Sequence, residues 1–448
     1  MLAAFGNYVR RRQGGGPSGA LFRNLRILSM DYSEHRAGKY YVTECFPYIA
    51  GQLLSELHLR CDAETGGADH RDILDLSRVV RLLPATSPDL QHIIIRDLRQ
   101  RQSHDGCAGL SYLLSRLKDV RQYVSAMTLT KGDIANLAAM PALTHLSIAL
   151  HMELAESPFF NLDLETPIPF NSLESLSLDV KHLELAIAFI RLLDPHCLTK
   201  LQLTTAAWHD ESTMERCLVA IARHTNLRDL AIYISPPPAP RFEVLRRVEC
   251  MLSKPTLMKL FTLPDIQSFV LAANDRARFE TDIDDQTIAA MAMSWPHLRS
   301  LTIVQGDWAA HGVVLPPART TVASLLALRD NCRDLHGLSI SLDTSNFDDR
   351  NVLHAVATNA GDEGTALEKL NIGSRSTRVS NHSVCAQVLK GLFPNLTEIH
   401  DGSNVAWDKE SSDWQEVGAI LRRLSMPPRE TSPMTVCGDD ESDCEYFE

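Results

Sequence analysis

The chain has 448 residues, 44% of them hydrophobic and 22% charged, a composition that can bury a large core and excludes a wholly disordered polymer. A formal net charge of -12 supplies no global basic field for phosphate or anionic lipid, so nucleic acid is not expected as the principal partner. Ten cysteines run from Cys45 to Cys444 without a CxxC pair, and no apolar run approaches the roughly 20 residues of a membrane span; neither a compact disulfide framework nor membrane insertion is expected, and reduced thiols fit a cytoplasmic or nuclear location.

In chain order, Arg10, Arg11 and Arg12 precede GGGPSG at 14–19, which formally matches GxGxxG. It follows arginines instead of an apolar strand and contains Pro17, so the helix N-terminus that would bind pyrophosphate is missing, and 1–19 reads as a flexible segment. From about residue 20 a phrase of the form Leu-x-x-Leu-x-(Leu/Ile/Met) recurs. It begins at Leu25, Leu54, Leu143, Leu173, Leu198, Leu227, Leu298, Leu335 and Leu367, nine times against roughly two by chance. Looser forms at Leu90, Val124, Ile266 and Leu396 fill the gaps, which makes about 31 residues per repeat between Leu25 and Leu396. A further match at Leu421 falls in a terminal helix.

Helical patterns lie between the phrases, after Ser212, Asp284 and Thr320 and again after Asn381, where Asn381 can serve as N-cap for Val384, Val388, Leu389, Leu392 and Phe393. A strand and helix pair of this size cannot bury its own apolar face, so successive pairs must stack. The expected fold over 20–425 is an α/β leucine-rich-repeat solenoid of about 12–14 irregular repeats, with a curved parallel β-sheet on the concave side and helices on the convex side. Ser235 to Pro240 (SPPPAP) reads as a stiff surface loop. The acidic stretch 426–448 reads as a disordered tail.

Motifs of chemistry are missing: the sequence holds no GxxxxGK(S/T), HExxH or GxSxG, and its 17 histidines show no metal-ligand spacing. Asp282, Asp284 and Asp285 read as carboxylates favouring a helix N-terminus, and Asp343, Asp348 and Asp349 read the same way. No catalytic, cofactor-binding or metal-binding residues are assigned, and no enzyme activity is expected.

A ligand would meet the alternating residues of the strands, because period-2 geometry sends the phrase leucines inward and their neighbours to the open face. The protein-binding candidates are Glu56, His58, Arg60, His92, Arg96, Lys200, Gln202, Tyr233, Lys369 and Asn371, with Thr204, Asp229, Glu398 and His400 on the same face. Ser175, Ser177, Ser268, Ser300, Thr302, Gly337 and Ser339 keep the face small elsewhere. Trp308, just past a strand, is the loop candidate, since an exposed indole is a common anchor. Such mixed chemistry suits one shaped protein partner.

WPHLRSLTI at 295–303, NCRDLHGLSI at 331–340 and LFPNLTEI at 392–399 resemble the repeats of the large fungal group of F-box leucine-rich-repeat proteins, over about residues 20–425. The resemblance implies a horseshoe that captures a substrate protein for a cullin ubiquitin ligase. Its F-box would bind a Skp adaptor; here about 20 residues precede the first repeat and none carries the opening Leu-Pro phrase, so an adaptor is expected only if an F-box is supplied upstream. A stand-alone leucine-rich-repeat scaffold or inhibitor is the alternative. The phrase also lacks the stacked Asn of many such repeats, with Lys181 and Gly306 at that position.

Overall fold

The computed structural model describes residues 24–31, 49–61, 81–97, 105–126, 129–150, 170–205, 210–235, 249–273, 278–304, 318–347, 354, 365–373, 376, 378–401 and 413–425. The segments 1–19 and 426–448, the prolines at 236–238 and 240, and Trp308 lie outside them. The strands are β1 (Ile27–Asp31), β2 (Glu56–Cys61), β3 (His92–Asp97), β4 (Gln122–Ser125), β5 (His145–Leu150), β6 (Ser175–Val180), β7 (Lys200–Thr205), β8 (Asp229–Ile234), β9 (Glu249–Leu252), β10 (Ser268–Ala273), β11 (Arg278–Thr281), β12 (Ser300–Val304), β13 (Gly337–Ile340), β14 (Lys369–Ile372) and β15 (Glu398–Asp401). Thirteen of them form one parallel sheet in chain order, while β9 and β11 pair separately.

Each phrase supplies one strand and one stripe of core. In β6, Leu173, Leu176 and Leu178 are buried while Ser175 and Ser177 alternate outward, and β8 repeats the pattern. The stripes join into a single hydrophobic cluster from Ala50 to Leu421, so every repeat is roofed by its neighbours and has no core of its own.

Register is set by a recurring backbone bond. Twelve times, the carbonyl of the residue just before a strand accepts two N–H groups, from the residue just before the next strand and from that strand's first residue. Arg26 O takes Ser55 N and Glu56 N at 2.9 Å each; Glu174 O takes Thr199 N and Lys200 N at 2.9 and 3.0 Å; Glu368 O takes Thr397 N and Glu398 N at 3.1 and 3.2 Å. The same shared carbonyl occurs at every junction between, which brings the strands in level.

A second device lies just upstream. Met140, Phe170, His224, Trp295, Cys332 and Phe393 each sit three residues before a phrase leucine, are 5% exposed or less, and accept that leucine's N–H at 3.0–3.4 Å. The Trp295 ring stands 5.1 Å from that of Phe269 and 5.6 Å from that of Phe261, closing the space between repeats.

The helices are α1 (Asp105–Arg116), α2 (Lys131–Ala138), α3 (Leu183–Leu192), α4 (Glu211–Ile221), α5 (Lys254–Leu257), α6 (Asp285–Ser294), α7 (Val322–Asn331), α8 (His382–Leu392) and α9 (Asp413–Ser425), with a 3-10 turn at Met258–Thr262. Side chains cap them: Asp284 accepts from Thr287 N at 2.8 Å and Asn381 from Val384 N at 3.1 Å, while α4 starts ahead of the expected Ser212, with Asp210 accepting from Thr213 N at 2.6 Å. Asp285 instead joins two repeats, accepting from Thr321 N and Oγ1 and from Ser324 N and Oγ at the start of α7. Carboxylates at helix starts thus bridge repeats on the outer layer. Helices need about 8–10 Å between axes and strands about 4.8 Å, so the sheet lies on the inner, concave side. Among the described residues no helix is long and apolar enough to cross a membrane.

Two expectations change. The phrase expected from Val124 lies four residues earlier: β4 is in register with β5 through Gln122 and His145, so Val120, Tyr123 and Ser125 hold the buried positions, and a tyrosine and a serine hid them from an aliphatic pattern. Asp343 accepts Ser345 N at 3.0 Å in a turn instead of heading a helix, and Asp348 and Asp349 lie outside the described residues. The match at Leu421 does lie in the last helix, where Trp414, Val417 and Leu421 cover the final repeat.

His224 is 1% exposed; its Nε2 meets the Ile190 carbonyl at 3.4 Å, and its Nδ1 has no hydrogen-bond partner among the described residues. Desolvation holds its pKa below the ordinary 6.5. The unfolded chain therefore binds a proton that the folded chain refuses, so stability present above pH 6.5 falls as pH drops from there towards the lowered folded value. Urea unfolding at a series of pH values should show this decline, and His224→Phe should flatten it.

Candidate functional site

The open face of the sheet is built by register. In β2, Glu56 and His58 occupy alternating outward positions, with their side chains 3.8 Å apart. Glu56 is in register with His92 on β3, whose Nδ1 lies 3.2 Å from Gln122 Oε1 on β4. Arg60 and Arg96 are register partners on β2 and β3.

The middle of the face carries Lys200 and Gln202 on β7 beside Asp229 and Tyr233 on β8. Lys200 Nζ bonds to Asp229 Oδ2 at 3.0 Å, Gln202 is exposed, and Tyr233 is in register with Thr204. Farther along, Lys369 on β14 contacts Glu398 Oε2 on β15 at 3.3 Å, and His400 approaches the same oxygen at 3.3 Å. Hydrogen bonds from Lys369 and His400 hold the Glu398 carboxyl below its usual range. Asn371 stands between Ser339 and His400 in the row, its Oδ1 buried with no partner among the described residues.

The candidates therefore form three groups and not one site. β5 and β6 separate the first group from the second, and β10, β12 and β13 separate the second from the third. At about 4.8 Å per strand, β2 and β15 are roughly 50 Å apart along the sheet, a span suited to a macromolecule. Neither Gln122 nor its register partner His145 on β5 stands among the candidates read from the sequence; the mislocated β4 phrase hid Gln122, while His145 stands in the phrase from Leu143. The sequence also could not show that Lys200 and Lys369 are already neutralised by acids on the next strand.

Groups with shifted pKa values elsewhere have structural causes. Burial pushes the Cys217 and Cys332 thiols up to about 12 and, with the nearby Asp194 charge, that of Cys197 up to about 11. The Thr213 N–H at the start of α4 is the main cause of the low Asp210 pKa. Among the described residues no group of histidine, cysteine or acidic side chains has the arrangement to hold a metal ion.

Thirteen parallel strands in chain order, roofed on one side by helices and open on the other, define an α/β leucine-rich-repeat solenoid. No family model matches the sequence, and no curated protein matches it. Among solved structures it is similar to a chain of the Rad7 and Elc1 complex in yeast, at 14% identity over 91% of this chain and 85% of that one, with a TM-score of 0.42. It is also similar to the leucine-rich repeat-containing protein LegL7 from Legionella pneumophila, at 14% identity over 71% of this chain and 91% of that one, with a TM-score of 0.31.

The side chains of Lys200 and Asp229 are 62% and 38% exposed, so solvent screens their attraction and the pair contributes at most about 1 kcal/mol. A double-mutant cycle on Lys200→Ala and Asp229→Ala should give a coupling of that size or less, shrinking further at about 1 M salt.

Proposed function

We propose that the chain is a non-catalytic protein-binding module that holds a protein partner on the concave face of its sheet. The observation that carries this reading is the face itself: thirteen strands present level rows of outward side chains, with charged groups separated by stretches of small residues. Net charge of -12 disfavours nucleic acid there. Thiols raised by burial move away from the thiolate that nucleophilic chemistry needs, which supports a binding role over an enzymatic one. Free thiols at Cys197, Cys217 and Cys332 support a cytoplasmic or nuclear location.

The finer reading is the substrate-recognition arm of a ubiquitin-ligase receptor, supported by the repeat phrasing of 295–303, 331–340 and 392–399. A Skp adaptor is a partner in that reading only when an F-box is present.

A photo-crosslinking residue placed at Gln202 on the concave face, and in a second variant at Val219 on the outer face of α4, tests the binding surface in cells. Position 202 should capture a discrete protein and position 219 should not; equal capture, or capture of nucleic acid at 202, would contradict the proposal. Co-purification of a Skp adaptor would favour the ligase reading, and its absence would leave a free-standing binder.

A further inference from the structure

Between the two ion pairs the outward positions of β10, β12 and β13 carry no charged side chain among the described residues. The first outward position reads Ser268, Ser300, Gly337 across β10, β12 and β13, and the next reads Val270, Thr302, Ser339. Lys200 and Asp229 bound this trough on one side, Lys369 and Glu398 on the other, and each pair is neutralised within itself. The floor is low: a methyl group built at Gly337 would touch only Ser300 Oγ, at 3.7 Å.

Two polar atoms at the edge of this trough, Ser339 Oγ and Asn371 Oδ1, have no hydrogen-bond partner among the described residues. Leu338 and Ile340 point into the core at 2% exposure each, so alternation turns Ser339 to the open face. Ser339 is 7% exposed, and its Oγ has no hydrogen-bond partner among the described residues. Its register partner Asn371 has an unpaired Oδ1. Neighbouring buried polar groups without partners are rare in folded proteins and call for a physical explanation.

We propose that this trough holds an uncharged, extended segment of a protein partner, which presents an amide group to Ser339 and Asn371. The inference rests on the concave face being the binding surface. One amide complements both residues: its N–H donates to Asn371 Oδ1 and its carbonyl accepts from the Ser339 hydroxyl, which a change of side-chain rotamer brings to the open face. An ionised group would find no unpaired opposite charge there and would lose hydration without compensation. Small residues on the floor let a peptide backbone approach the sheet closely.

Selection of a displayed random peptide library on the full chain tests this, with Thr302→Arg as the variant that fills the trough. Recovered peptides should be poor in charge and carry Asn or Gln. Ser339→Ala and Asn371→Leu should each weaken their binding by about tenfold, the effect of one lost buried hydrogen bond, and Thr302→Arg should abolish it. Val219→Arg, on the outer face of α4, should change binding by less than about threefold, since it lies off the concave face. Ser339→Ala should melt at or above the parent temperature, because it removes an unpaired group, and this separates lost binding from lost fold.

Charged peptides, failure to recover any peptide, or binding unmoved by Ser339→Ala and Asn371→Leu would overturn the proposal. Peptides lost only with Gln202→Arg, on the concave face outside the trough, would sink the trough and leave the concave binding face standing. Peptides insensitive to every one of these changes would sink both.

Discussion

The structure depends on one backbone interaction, the carbonyl before each strand that accepts two N–H groups from the next repeat. The repeats differ in length, and their helices range from the four residues of α5 to the thirteen of α9. Without a common fixed point, such unequal units would stack out of register, and a slip of one residue would turn the phrase leucines outward. The shared carbonyl holds each strand level with the next whatever the length of the loop between them. Rows such as Thr302, Ser339, Asn371 and His400 are level for that reason, and so a surface exists at all.

The outer layer uses different means for the same purpose. A stacked Asn is missing from the phrase, and carboxylates at helix starts take over part of its work: Asp285 binds the first turn of α7, Glu211 accepts from Thr256 of α5 at 3.1 Å, and Asp413 accepts Val379 N ahead of α8 at 3.3 Å. Between the layers, the residue three before each phrase fills the turn. His224 occupies a position that Phe170, Trp295 and Phe393 fill with purely packing side chains, which introduces an ionisable group into the core of the middle repeats.

Much of this was legible in the sequence. Leucine spacing located twelve of the thirteen phrases, and the caps at Asp284 and Asn381 followed from residue type. The β4 phrase was not legible, because Tyr123 and Ser125 stand where aliphatics were sought. The buried residue three before each phrase did leave a signal in Phe170, Trp295 and Phe393, but a pattern that began at the leucine could not register it. Pairings across strands were illegible for a stronger reason. Lys200 meets Asp229, and Lys369 meets Glu398, only because register brings them level, and unequal loops hide register from any fixed sequence interval. The strand candidates follow from alternation along each phrase, whereas their division into three groups, and the partnerless Ser339 Oγ and Asn371 Oδ1 beside an uncharged trough, needed the strand order.

Hydrogen exchange of the full chain, read by mass spectrometry or NMR, tests the account most directly. The paired lead-in amides, such as Thr199 and Lys200, Arg228 and Asp229, or Arg299 and Ser300, should exchange slowly and together, with protection greatest in the middle repeats and declining towards β1 and β15 as in a linear array. Rapid exchange of these amides beside protected helices would contradict the claim that the shared carbonyls hold the solenoid in register.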